Sequence, residues 1–81
     1  MKSFLKLLAE KGVTEIRNTL TSLYARYNDV YVDITKTPSQ SAASSWHMEV
    51  VDFAGPNLMR RRKWDGSVKE LLVVLQRIDF D

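Results

Sequence analysis

Residues 46–64, WHMEVVDFAGPNLMRRRKW, constrain the fold of this chain more than any other stretch. WHMEVVDF and LMRRRKW read as two strands, and AGPN between them is a turn, because Gly and Pro punctuate the chain there. Neighbouring side chains on a strand point to opposite faces. The four consecutive cations Arg60, Arg61, Arg62 and Lys63 therefore cannot form one patch in a regular strand. A turn over 54–57 places Phe53 opposite Leu58. One face then carries Trp46, Met48, Val50 and Asp52 with Met59, Arg61 and Lys63. The other carries His47, Glu49, Val51 and Phe53 with Leu58, Arg60, Arg62 and Trp64. The Trp46, Met48, Val50 and Met59 face is assigned to the core. Arg61 and Lys63 on that face require 58–64 to be an edge strand, where apolar stems can lead charged ends outward. An odd residue at the turn would invert the second strand, since a one-residue slip exchanges its faces.

Before the hairpin, Phe4, Leu5, Leu7 and Leu8 form a short helical stripe ending at Gly12, a residue common just past a helix end. Thr14 resembles an N-cap with Glu15 in the first turn. Ile16, Leu20, Leu23, Tyr24 and Tyr27 follow at spacings of three and four, which predicts a second amphipathic helix. One long helix bent at Gly12 is the alternative, at a cost of about 1 kcal/mol for the glycine. VYVDIT, residues 30–35, alternates as a half-buried strand. Residues 37–45, TPSQSAASS, read as a polar connection, longer than most hairpin loops and open to phosphorylation at its serines. Ser67 with Glu70 forms a capping-box pattern and opens a last helix carrying Val68, Leu71, Leu72, Leu75 and Ile78 on one face. The expected fold is an α+β two-layer domain over residues 1–81. Helices pack on one face of a three-stranded antiparallel sheet, in the order α-α-β-β-β-α.

Composition narrows the classes. The 81 residues are 44% hydrophobic and 27% charged, the balance of one small globular domain. Such a domain buries roughly 60–65% of its unfolded surface, so homodimer formation is an open route to further burial. With no cysteine and one histidine, neither a disulfide nor a zinc site is expected, and no motif calls for a metal or other cofactor. The N-terminus lacks a signal-peptide pattern and no segment is long enough to span a bilayer, which reads as a cytoplasmic protein without a membrane partner. A net charge of +2 falls short of a general nucleic-acid coat.

Three functions compete. The first is a non-enzymatic binding protein, a regulator or inhibitor of the kind phages and mobile elements encode. It would dock on a larger protein through the exposed hairpin face, with Arg60, Arg62, Trp64, Phe53 and Val51 as contacts, because Trp and Arg are the side chains most enriched among interface anchors. The alternative is nucleic-acid binding, with Arg60, Arg61, Arg62 and Lys63 on phosphates and Trp64 or Phe53 stacking on a base. The third is a small ribonuclease-like enzyme. Glu49 as base, His47 as acid and Arg60 and Arg62 on the phosphate would share one face. The competing structural role sets Glu49 opposite Arg62, a cross-strand pair contributing roughly 0.2–1 kcal/mol.

Overall fold

The structure, a computed structural model, describes residues 1–37 and 45–80. Seven elements follow in chain order: α1 (Lys2–Glu10), β1 (Glu15–Asn18), β2 (Ser22–Tyr27), β3 (Val30–Thr37), β4 (Ser45–Gly55), β5 (Leu58–Gly66) and α2 (Val68–Arg77). The sheet has five antiparallel strands in the order β1-β2-β3-β4-β5, each beside its sequence neighbour. The expected three-stranded sheet and its α-α-β-β-β-α order are thus corrected to five strands between two helices. Residues 38–44, the body of the expected polar connection, lie outside the described residues.

The correction falls on residues 15–27. Their apolar spacing fits a helix, but it fits a hairpin as well. Leu23, Ala25 and Tyr27 alternate, and Leu23 and Ala25 are buried while Tyr24 and Arg26 face out. Leu20, counted in the helical stripe, is 93% exposed at the β1–β2 turn. Thr19 builds that turn: its hydroxyl accepts from the Thr21 and Ser22 amides at 3.3 and 3.1 Å, and its own amide donates to the Ser22 carbonyl at 2.8 Å. Thr, Asn, Ser and Tyr fill this stretch and are middling helix formers, whereas Thr and Tyr suit strands. The β2–β3 connection is a two-residue turn, Asn28–Asp29, flanked by the pair Tyr27 and Val30. Asn28 takes the positive φ of 54° that such turns need.

The first helix ends where its glycine predicts. Gly12 has φ 84°; its amide donates to Ala9, and the Val13 amide donates to Leu8, both at 3.0 Å. This is a Schellman closure, and the buried side chains of Leu8 and Val13 supply its hydrophobic contact. The capping box at Ser67 and Glu70 is present at the start of α2.

Both helices pack on the same face of the sheet. Phe4 and Leu8 of α1 and Leu71 and Leu75 of α2 join Leu23, Ala25, Val32, Ile34, Met48 and Val50 in one core. Phe4 meets Trp46 edge-on at 5.8 Å. Each fully buried Leu or Phe contributes roughly 1.5–3 kcal/mol. The segment after α2 closes the core: Lys11 Nζ donates to the Ile78 carbonyl at 3.0 Å, and Phe80 packs edge-on against Tyr27 at 6.4 Å. No helix among the described residues is long and apolar enough to cross a membrane.

Candidate functional site: the β4–β5 hairpin

Among the described residues, strand β5 is an edge strand with β4 as its one neighbour. The turn is Pro56–Asn57, flanked by the pair Gly55 and Leu58. Pro at the first central position and Asn57 at φ 62° at the second suit a type II turn. A plain ladder from that turn would set Arg60 opposite Phe53. Instead the register shifts between Phe53 and Gly55, leaving Ala54 as a bulge. Beyond the bulge Phe53 pairs with Met59, Asp52 with Arg60, Val50 with Arg62 and Met48 with Trp64.

That one residue decides which way every β5 side chain points. The expected assignment for β4 holds: Trp46, Met48, Val50 and Asp52 face the helices and are buried. The expected assignment for β5 is inverted. Arg60, Arg62 and Trp64 lie on the helix side, and Met59, Arg61 and Lys63 on the open side. The expected contact group is therefore divided. Phe53 and Val51 sit on the open face, while Arg60, Arg62 and Trp64 sit behind it. The expected phosphate contacts divide two and two in the same way.

On the helix side, the arginines converge on Asp52, which is 8% exposed. Arg60 grips its carboxylate with two bonds, Nε to Oδ1 at 2.9 Å and Nη2 to Oδ2 at 2.6 Å. Arg62 Nη2 adds a third at 3.1 Å and its guanidinium lies 5.6 Å from the centre of the Trp64 ring. The hydrogen bonds from Arg60 hold the Asp52 carboxyl below its ordinary range. Burial opposes them, and the nearby charges of Arg60 and Arg62 assist. The Nε of Arg62 is buried without a partner among the described residues. Trp64 is half-buried against the core. This cluster fastens the edge strand to the sheet.

The cluster borders an open depression of about 700 Å³. Four arginines (Arg26, Arg60, Arg62, Arg77) and three aspartates (Asp29, Asp52, Asp79) line it. That near-balance does not make a phosphate cradle, for which an excess of cations is needed.

On the open face, Arg61 Nε bonds Glu49 Oε1 at 2.8 Å, and His47 Nδ1 meets Asp65 Oδ1 at 2.8 Å. Glu49 is thus held by Arg61, not by Arg62 as expected, and stands opposite Lys63. His47 and Glu49 share this face, but the two arginines required for the ribonuclease-like arrangement are on the other. Tyr24 and Tyr31 pack at 6.5 Å further across the sheet, with Arg26 5.3 Å from the Tyr31 ring centre. Among the described residues no group of His, Asp and Glu side chains could hold a metal ion.

The hairpin also reaches beyond the rest of the sheet. The last β3–β4 pair in this direction is Tyr31 with Val51, so residues 52–60 continue as a two-stranded arm. Its open-face and tip residues are apolar: Phe53 is 49% exposed, Leu58 60% and Met59 54%. Met59 was absent from the expected contacts because the expected register turned it to the core; Leu58 stood on the outer face in that register but was not counted among the contacts. Their signal is the small Ala54–Gly55 pair ahead of Pro56, where a bulge is cheapest. No protein-family model, curated protein or solved structure matches this chain.

Proposed function

We propose that this chain is a non-enzymatic binding module that docks on a larger protein, as a regulator or inhibitor would, through its β4–β5 arm. Phe53, Met59 and Leu58 are the apolar anchors, and Val51 and Arg61 flank them. One observation carries the reading: three large apolar side chains stand half-exposed together on the hairpin beyond its last pairing with β3. Phe, Met and Arg are enriched at interfaces. Covering the exposed halves of three such side chains would contribute roughly 1 kcal/mol each. In this reading Arg60, Arg62 and Trp64 hold the arm in place from behind and do not touch the partner. Glu49 and His47 are ion-pair partners in the ladder and not catalysts.

The test compares the Phe53→Ser, Met59→Ser double variant with Val73→Ser, which removes a similarly exposed apolar side chain from α2 (46% exposed). Immobilised wild-type chain and Val73→Ser should retain the same nuclease-resistant partner from source cells. The double variant should not, and calorimetry with the purified partner should repeat the ranking. Retention by the double variant refutes the arm. Loss of the partner on nuclease treatment refutes protein docking in favour of nucleic-acid binding.

A further inference from the structure

Among the described residues nothing pairs with the outer edge of β5, a template nine residues long. Among the described residues, no backbone hydrogen bond outside the strand ladders involves residues 58–66. Charged side chains usually guard such an edge by standing over it. Here the guards are turned inward. Arg60 and Arg62 reach back across the sheet to Asp52, and Arg61 reaches back to Glu49. The ion pairs that fix the strand therefore leave its backbone open in the middle of the basic run.

The charge on that edge selects its occupant. Arg60, Arg61, Arg62 and Lys63 outweigh Asp65 within β5 itself, and the β4 carboxylates Asp52 and Glu49 still leave one positive charge in excess across the two strands, with His47 neutral. Lys63 has no ion-pair partner among the described residues, and Arg60 and Arg62 share one carboxylate. A second copy paired edge to edge would set this basic run against itself, and like charges directly opposed destabilise a ladder. An acidic strand would gain where a basic one loses.

We infer that β5 accepts an extended acidic segment of the protein partner as a sixth strand. Main-chain hydrogen bonds would supply affinity, and side chains the selection. The cations lie on both faces, Arg61 and Lys63 on the open side and Arg60 with Arg62 on the helix side. Adjacent residues of a strand point to opposite faces, so two consecutive acidic residues in the segment meet both. Beyond them an apolar residue falls beside Met59 at the arm. The inference rests on the docking reading above and names the chemistry of the docked segment. A partner that is lost with Phe53→Ser, Met59→Ser but binds without covering the edge would remove this inference and leave that reading standing.

The experiment uses a blocked nine-residue peptide, matching β5 in length, with two adjacent glutamates at its centre flanked by valine and threonine. A control peptide carries lysines in their place. Amide hydrogen exchange and amide chemical shifts are followed by NMR on the full chain. The glutamate peptide should slow exchange along residues 58–66 and shift those amides, and the lysine peptide should do neither. Lys63→Glu, at an exposed and unpaired site, should weaken the glutamate peptide roughly tenfold. Raising salt on the wild-type chain should weaken it too, a readout independent of any variant's folding. Equal effects of the two peptides, or unchanged exchange along 58–66 with the glutamate peptide, would overturn the inference. So would a free chain that sediments as a dimer with those amides already protected.

Discussion

Replacing Asp52 with Asn tests whether the carboxylate beneath the edge strand holds the hairpin in register. Asn keeps the shape and one acceptor but loses the charge, and its amide group must face guanidinium donors. Three arginine bonds, at 2.9, 2.6 and 3.1 Å, converge on the native carboxylate. Breaking a fully buried pair costs about 3–5 kcal/mol. Both arginines are partly exposed here, with side-chain exposures of 52% and 35%, so water screens part of the interaction. The expected loss is therefore about 2 kcal/mol. With a urea slope near 1 kcal/mol/M, the unfolding midpoint should fall by about 2 M. The pH dependence has a definite direction. Asp52 is more acidic in the folded chain than its ordinary value of 3.8, so the unfolded state binds the proton more readily. The stabilisation should be complete above the unfolded value and should disappear as pH falls through the lower, folded one. The gap between wild type and Asp52→Asn should narrow over the same window. Stabilities within about 0.5 kcal/mol of each other at neutral pH, or a gap independent of pH below the ordinary carboxylate value, would refute this account of the cluster.

Three further outcomes follow from the same structure. Leu75→Ala, at a position with no exposed surface, should cost about 2–5 kcal/mol in urea denaturation. Gly12→Ala forces a side chain into φ 84° and should lower stability by about 1 kcal/mol in thermal unfolding, although nothing lies near the added methyl group. Deleting Ala54 removes the extra residue and leaves Gly55 paired with Leu58 and Phe53 with Met59 in a regular ladder, so β5 should keep its facing. Trp64 fluorescence should then stay unshifted, and Asp52 should keep both arginines. A red-shifted emission with a fall in stability would refute this reading of the register.

How much of this was legible in the sequence differs by element, for physical reasons. The end of α1 and the start of α2 depend on local chemistry, a glycine at positive φ and a Ser–Glu capping box, and both were readable. Strands β3 and β4 announced themselves by alternation. The β1–β2 hairpin was misread because Ile16, Leu20, Leu23, Tyr24 and Tyr27 satisfy a helical period by coincidence. Two of those five side chains, Leu20 and Tyr24, do not enter the core. The decisive cues were weaker, the Asn28–Asp29 turn and the threonines around residue 20. Pairing with β3 then overrides local propensity, since Leu23, Ala25 and Tyr27 gain burial only beside Ile34, Val32 and Val30.

The site was less legible than the fold because it depends on parity. Residue types in β5 were read correctly, as was its place at the edge. Their direction depends on counting residues between Phe53 and Met59, and a bulge alters that count without altering composition. Charge pairing offers a check that does not need the count. With the bulge, Asp52 on the buried face meets Arg60 and Arg62, and Glu49 on the open face meets Arg61. Without it, Asp52 would share the buried face with Met59, Arg61 and Lys63, and Trp64 would leave the core for water. The bulged register keeps Trp64 against the core, gives the buried carboxylate a two-bond arginine grip and places Met59 beside Phe53. Desolvation of one aspartate, a side chain lacking any neutral alternative at ordinary pH, thus weighs heavily in setting the hairpin's register. The exposure of Phe53, Leu58 and Met59 follows from that register. An arm with its cations fastened behind and its apolar side chains in front is consistent with selection for contact with another surface.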